Sequence, residues 1–208
     1  MKKRFQLLVL SVLCAVFAHA QYTAPAEGVF RIVNVEYNAA LAEYYVSNTL
    51  YGAEIGGNSD FSQLWFLKKS GNHYTIQNAY TSKYIQTGND VNEQPYWTDK
   101  DPKGFNIVAN PKKGADAYNI WDPTLGSRGL HSKGMRERVV RWGTEDHKAA
   151  SEWKFIPVEV SEEELKIAQA EYAEYVTKEE GFNFKNLVRL VKSGKDEDWK
   201  EYLRLFDE

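Results

Sequence analysis

Cysteine is almost absent from this sequence of 208 residues, in which Cys14 is the only one. Residues 1–20 have the features of a signal peptide, so we expect a mature chain that starts at Gln21 and contains no disulfide. Small secreted domains of animals usually depend on disulfides. A bacterial protein that is secreted, or located in the periplasm or cell envelope, is therefore the better expectation.

The signal-peptide prediction depends on three consecutive features. Lys2-Lys-Arg4 is a basic start, Leu7 to Phe17 is apolar, and Ala18-His-Ala20 fits the small-x-small cleavage rule. The apolar run is too short to span about 30 Å of hydrocarbon, so a membrane helix is the weaker interpretation. Lipid attachment at Cys14 is also weaker, because Leu13 stands where a small residue is preferred. No later segment is long and apolar enough to cross a membrane.

Positive charge does not predominate, since the sequence has 26 Lys and Arg against 29 Asp and Glu. Removing the three basic residues at positions 2–4 takes the formal net charge from −3 to −6. A protein whose main partner is nucleic acid would carry a basic surface to neutralise phosphates. We therefore do not expect nucleic acid as a partner.

Motifs for catalysis and metal binding are missing as well. The sequence has no nucleophile elbow, HExxH motif or phosphate loop, and His73, His131 and His147 lack ligand spacing. Glu152 and the pair Glu145-Asp146 are carboxylates of the kind that glycosidases use, but surface carboxylates are usually only solvated. We therefore expect a protein that is not an enzyme and has no catalytic residues, no cofactor and no metal.

One short pattern is present three times at a spacing of 44 residues. It reads aromatic, x, Ile, x, Asn or Asp, and it occurs at Phe30–Asn34, Tyr74–Asn78 and Tyr118–Asp122. Alternating apolar residues followed by a turn residue are typical of a half-buried strand that ends in a turn. Three copies at one period predict three copies of one structural unit, in which the three aromatic residues are equivalent.

Each unit offers four short strands separated by turn residues, which predicts repeats over about 28–70, 71–113 and 114–158. In the first repeat, we assign the second strand to Tyr44–Val46 and the third to Glu54–Gly56. Twelve strands in three units can share one core and close a barrel. The sequence thus predicts a mainly β protein.

After Pro157 the pattern becomes helical, which predicts an α-helical extension over 159–208. Ser161 and Glu164 form a capping box that starts the first helix. We expect Gly181 to end this helix, Asn183 to cap a second one, and Asp196 to start a third after Ser193-Gly194. These amphipathic helices need a surface to pack on, either the β domain or a partner protein.

The repeats resemble the ricin B-type β-trefoil family. Ser62-Gln-Leu-Trp65 matches the family's Q-x-W motif most clearly, Ser151-Glu-Trp153 keeps only the Trp, and Phe105 is an aromatic at the same place. The resemblance covers about 28–158 and implies a β-trefoil with Trp65 and Trp153 in its core. It implies less about function, because trefoils also serve as inhibitors and attachment modules.

In sugar-binding members of that family, an Asp ends the second strand and an aromatic ring on the third strand stacks under the sugar. The resemblance places Ser47, Gln86 and His131 at the Asp position, so every copy departs from the pattern there. Trp97 and Trp142 each follow by 11 residues and supply a ring, while the same step in the first repeat reaches Asn58 and no ring. The alternative is that both Trp side chains face the barrel core.

The resemblance implies a carbohydrate-binding module with weak sites, built from Gln86 and Trp97 in the second repeat and His131 and Trp142 in the third. The alternative is a structural trefoil that docks a partner protein through C-terminal helices around Trp199–Phe206.

A basic cluster lies beside the third-repeat site, and its residues are Lys133, Arg136, Arg138 and Arg141. We expect a solvated strand edge, and the alternative is a surface for an acidic glycan or protein.

Overall fold

The structure is a computed structural model. It describes residues 25–44, 47–88, 95–109, 117–124, 126, 128–143 and 149–193, with side chains through residue 178. Within these residues the chain forms twelve strands and one long helix, so the predicted mainly β fold is confirmed. The chain divides into two compact units, 1–165 and 166–208.

The twelve strands fall into three groups of four in chain order. The first group is β1 (Gly28–Asn34), β2 (Ala40–Tyr44), β3 (Thr49–Ala53) and β4 (Leu64–Ser70); the second is β5 (His73–Asn78), β6 (Tyr84–Gln86), β7 (Trp97–Asp99) and β8 (Asn106–Ala109); the third is β9 (Tyr118–Trp121), β10 (Arg128–Ser132), β11 (Val139–Gly143) and β12 (Trp153–Pro157). Within each group, the second and third strands form an antiparallel hairpin.

The first and fourth strands of the three groups close a barrel. Strand β1 pairs with β4 and with β12, β5 pairs with β4, and β9 pairs with β8 and β12. The remaining gap between β5 and β8 is bridged where Tyr74 and Phe105 exchange two backbone hydrogen bonds of 2.8 Å. Closure leaves these six strands without an open sheet edge.

The turn after each first strand repeats with the predicted period of 44. The side-chain Oδ1 of Asn34, Asn78 and Asp122 accepts backbone N–H groups two or three residues further on. Two of these turns then place Asn38 and Ser82 in the left-handed region, with φ of 49° and 59°. Short polar side chains tolerate this region better than most, so the turn chemistry as well as the apolar pattern is triplicated.

The core lies inside the barrel, where Trp65 and Trp153 are fully buried as predicted. The Trp65 indole N–H donates to the Leu41 carbonyl at 2.8 Å, and the Trp153 indole donates to Leu130 at 3.0 Å. These matching bonds identify Leu41 and Leu130 as equivalent positions of the first and third repeats. Phe105, fully buried, is the aromatic of the second repeat.

The three hairpins meet at a buried triplet formed by Leu50, Tyr96 and Val139. The Leu50 N–H donates to the Tyr96 carbonyl at 3.1 Å, and the Tyr96 N–H donates to the Val139 carbonyl at 3.0 Å. All three side chains are fully buried. The triplet therefore fixes which residues of the third strands are equivalent.

The predicted strands of the first repeat are wrong by several residues. The second strand is β2, not Tyr44–Val46, and the third is β3, not Glu54–Gly56. Since Leu41 is equivalent to Leu130, the residue equivalent to His131 is Ala42 rather than Ser47. The strand was placed too late in the chain because Tyr44 to Val46 is a more apolar run than β2, which contains two alanines.

One helix, α1 (Glu162–Ser193), follows the barrel. The predicted capping box is confirmed: the Ser161 N–H donates to Glu164 Oε2 at 2.8 Å, and the Glu164 N–H donates to Ser161 Oγ at 3.2 Å. The Ser161 hydroxyl and N–H also hold the pKa of the Glu164 carboxyl below its ordinary value.

The predicted helix boundary at Gly181 is wrong, because α1 continues through Gly181 and Asn183. A glycine inside a helix costs only about 1 kcal/mol relative to alanine, which a long helix can absorb. The third predicted helix from Asp196 and the docking segment Trp199–Phe206 lie outside the described residues. Among those described, no helix is long and apolar enough to cross a membrane.

Candidate functional site

His131 and Trp142 lie side by side on the third hairpin. His131 pairs with Val140 and Trp142 pairs with Gly129, so the two rings are diagonal neighbours on one face of the sheet. Their centroids are 5.7 Å apart and their planes are tilted by 31°. The opposite face carries Leu130, which is fully buried. The two predicted site residues therefore face away from the core.

A cavity of about 440 Å³ opens beside these rings. Besides His131 and Trp142, its lining residues are Glu36, Tyr37, Lys133, Ala149 and Ala150. The Lys133 Nζ lies 5.7 Å from the centroid of the Trp142 ring, within reach of a cation–π interaction. We name this site the third-repeat pocket, although Glu36 and Tyr37 come from the β1–β2 turn of the first repeat.

Ser151 positions the histidine of this pocket. Its hydroxyl lies 2.8 Å from His131 Nδ1, and its side chain is fully buried. Ser151 stands where the Q-x-W motif has its Gln. In the first repeat that Gln is Gln63, whose Nε2 donates instead to the Glu54 carbonyl at 2.8 Å. The same motif position thus supports a loop in one repeat and the pocket in another.

Gln86 and Trp97 also lie together, directly opposite each other on β6 and β7. Both side chains are half-buried. The Gln86 Nε2 donates to the Asp101 carbonyl. The structure therefore brings together both predicted pairs of site residues. It also places neither Trp97 nor Trp142 in the buried core with Trp65 and Trp153.

The two pairs are nevertheless not equivalent. Gln86 is opposite Trp97, but His131 is opposite Val140, so the second hairpin is two residues longer than the third. The residue equivalent to Trp97 is therefore Val140. In the first repeat it is Tyr51, which is opposite Ala42. The prediction that this repeat has no ring on its third strand, at Asn58, is wrong.

Only part of the predicted basic cluster is exposed, because Lys133, Arg136 and Arg138 lie at the surface and Arg141 does not. Arg141 is fully buried, and its Nη1 donates to the Gly88 carbonyl at 2.7 Å. Arg136 is exposed and forms a 2.7 Å ion pair with Glu54. Lys133, by contrast, belongs to the third-repeat pocket. The local sequence could not show this division, because Arg141 alternates inward on the same strand that carries Trp142 outward.

The carboxylates considered for glycosidase chemistry do not form a surface pair in the described residues. Glu152 is fully buried rather than solvated as predicted, and Glu145 and Asp146 lie outside the described residues. In the described part of the chain, no three His, Cys, Asp or Glu side chains are grouped so that they could hold a metal.

A second buried carboxylate, Glu43, joins the first two repeats. Its oxygens accept hydrogen bonds of 2.5 Å from Thr81 and from Thr98, and its side chain is 1% exposed. Burial raises the pKa of the Glu43 carboxyl above its ordinary value, although both hydrogen bonds and the Lys83 ammonium oppose the rise. Glu43 thus holds β2 against β7 and the β5–β6 turn.

No known protein family and no curated protein matches this sequence, but solved structures share its fold. An agglutinin of Rhizoctonia solani is 20% identical with a TM-score of 0.58, covering 65% of this chain and 99% of its own. A ricin B-like lectin of Macrolepiota procera, solved with lactose, is 17% identical with a TM-score of 0.57, covering 65% of this chain and 100% of its own.

A proteinase inhibitor of Coprinopsis cinerea is also similar. It is 10% identical with a TM-score of 0.50, and the match covers 65% of this chain and 100% of the inhibitor. At these identities the comparisons show the β-trefoil fold alone, which confirms the predicted resemblance at the level of fold. Because a lectin and a proteinase inhibitor share this fold, the fold does not determine the function, which has to be argued from the site.

Proposed function

We propose that this protein is a non-catalytic carbohydrate-binding module whose sugar site is the third-repeat pocket. The observation that carries the proposal is the outward pair of His131 and Trp142 beside a cavity of about 440 Å³. A flat indole ring can stack on the apolar face of a sugar. A cavity of this size admits one or two sugar units rather than a long chain.

The polar groups of the pocket supply hydrogen bonds to sugar hydroxyls. His131 and Lys133 can donate, and the carboxylate of Glu36 can accept two hydroxyls at once. Sugar-binding trefoils place an Asp at the position of His131, and that Asp is missing here. Glu36 supplies a carboxylate from the neighbouring repeat instead, which gives the pocket the double acceptor that its own hairpin lacks.

We also propose that the protein is exported by a bacterium and acts in the cell envelope or outside the cell. The support is the order of basic, apolar and small residues over 1–20, together with a predicted mature chain that lacks cysteine.

The sugar-binding proposal is tested by a glycan array with the full mature chain. The Trp142→Ala variant is expected to weaken binding at least tenfold, about 1.4 kcal/mol, because the stacking platform is lost. Trp142→Phe keeps a ring and should retain part of the affinity, while Ile167→Ala, on the exposed side of α1, should bind like the wild type.

Folding of each variant is checked by near-ultraviolet circular dichroism. If the folded wild type binds no glycan on the array, or if Trp142→Ala binds as well as the wild type, the third-repeat pocket is not a sugar site.

A further inference from the structure

A row of four side chains crosses the hairpins of the first and second repeats. Gln86 on β6 is opposite Trp97 on β7, Trp97 is opposite Thr49 on β3, and Thr49 is opposite Tyr44 on β2. Residues directly opposite each other point to the same face of a sheet. We name these four residues the cross-strand row.

The row faces outward. Its strands alternate between the two faces, and the residues next to the row, Ile85, Leu50 and Tyr96, are fully buried. Tyr44 is 51% exposed, and Trp97 is half-buried. The row is thus an accessible line of aromatic and hydrogen-bonding groups.

Neighbouring groups hold the row in place. The Tyr51 ring packs edge-on against Tyr44 with centroids 6.1 Å apart. The Thr49 hydroxyl lies 2.8 Å from that of Ser47, and the Asn48 carbonyl accepts the Thr98 N–H at 2.8 Å. Groups that are already ordered lose little further freedom when a ligand binds.

We propose that the cross-strand row binds an extended, neutral polysaccharide chain that lies across the strands. Trp97 and Tyr44 are two strands apart, roughly 10 Å, so they can support two sugar rings of one chain. The Thr49 hydroxyl between them and the Gln86 amide can bond sugar hydroxyls. None of the four side chains is charged, which favours a neutral chain over an acidic one.

This site lies on other hairpins than the third-repeat pocket, and it depends on the proposed function only in the class of ligand. The pocket is a single cavity that takes one or two sugar units, while the row is a line of side chains across four strands and takes a chain. The two sites can therefore be tested separately in one protein.

The test is native affinity electrophoresis of the mature chain in gels that contain xylan, galactomannan, xyloglucan or mixed-linkage β-glucan, with polygalacturonate as the acidic comparison. The wild type should be retarded by at least one neutral polysaccharide. Trp97→Ala and Tyr44→Ala should each raise the dissociation constant about tenfold, the loss expected for one stacking platform. Tyr44→Phe keeps the ring and should bind like the wild type.

Ile167→Ala serves as the control, since Ile167 is exposed on α1 and belongs neither to the pocket nor to the row. It should leave retardation unchanged. The inference is overturned if no neutral polysaccharide retards the folded wild type, if Tyr44→Ala is retarded like the wild type, or if only polygalacturonate binds. Each of these results leaves the array result for the third-repeat pocket to be judged by itself.

Discussion

At the scale of single residues, one substitution in the triplicated turn shows how the repeats have diverged. Asn34 and Asn78 each donate their side-chain N–H to a carbonyl three residues before a buried Trp, at 2.9 Å to Ala150 and to Ser62 respectively. Asp122 has no N–H to donate. It instead forms a 2.7 Å ion pair with Lys103, and its side chain is fully buried. The replacement of the Asn amide by the Asp122 carboxylate is thus compensated by the positive charge of Lys103 in the second repeat.

Glu43 gives the chain a pH dependence of stability that can be measured. The folded protein holds the Glu43 proton to a higher pH than the unfolded chain, so the free energy of unfolding falls as the pH rises above about 4.5 towards the folded pKa. In Glu43→Gln this contribution is absent. The variant should therefore gain stability relative to the wild type as the pH rises through that interval, as measured by urea unfolding.

Glu43→Ala provides the comparison. It leaves the buried Thr81 hydroxyl without its acceptor, which costs about 1–3 kcal/mol, and it leaves the Thr98 hydroxyl only the Asn48 carbonyl at 3.5 Å. This variant should be less stable than Glu43→Gln at every pH. A stability difference between Glu43→Gln and the wild type that does not change with pH would contradict the assigned role.

At the scale of elements, the register of each hairpin decides which side chains become neighbours. Trp97 and Trp142 each follow their partners by 11 residues, yet only Trp97 lies directly opposite its partner, Gln86. The equal spacing in sequence hides a difference of two residues in hairpin length. Because side chains alternate along a strand, this even difference keeps both rings facing outward while moving one of them along the strand.

The third hairpin also contains a matched pair of glycines that tests its packing. A Cβ at Gly129 would lie 2.1 Å from the Ile120 carbonyl oxygen, whereas a Cβ at Gly143 meets nothing within 4 Å. Gly129→Ala should therefore lower the free energy of unfolding by about 3 kcal/mol or more, as overpacking against backbone does, or prevent folding. Gly143→Ala should change it by less than about 1 kcal/mol.

Thermal unfolding of both variants measures the difference. Equal stability of the two would show that β10 does not approach β9 as closely as Gly129 requires.

At the scale of the whole molecule, closure of three repeats creates sites that no single repeat contains. The third-repeat pocket combines Glu36 and Tyr37 of the first repeat with the third hairpin. The cross-strand row combines Thr49 and Tyr44 with the second hairpin. Since the first repeat contributes to both proposed sites, a change in one of its turns can alter binding that the sequence would assign to another repeat.

Export of the protein is also tested on the whole chain. When the full-length chain is produced in a Gram-negative host, the protein recovered from the periplasm or medium should have the intact mass of a chain that begins at Gln21. The double substitution of Ala18 and Ala20 by Asp should block cleavage, because the small residues of the cleavage rule are lost. An uncleaved, cytoplasmic wild type would contradict export.

The fold was predictable because its determinants recur locally. The aromatic and apolar residues of Phe30–Asn34, Tyr74–Asn78 and Tyr118–Asp122, and the Asn or Asp that ends each, act within a few residues of themselves. The first hairpin was assigned wrongly, because β2 contains small residues that become buried only when the barrel closes over them. The helix boundary at Gly181 was also wrong, because the small free-energy cost of one glycine does not end a long helix such as α1.

The sequence by itself determined the trefoil, the buried Trp65 and Trp153, and the proximity of His131 and Trp142, since these two residues belong to one hairpin. Only the tertiary structure decided what surrounds them. It brought Glu36 and Tyr37 to the third-repeat pocket, buried Arg141 and Glu152, and aligned Tyr44 with Trp97. These contacts join residues far apart in the chain, and they form because the barrel closes around one shared core.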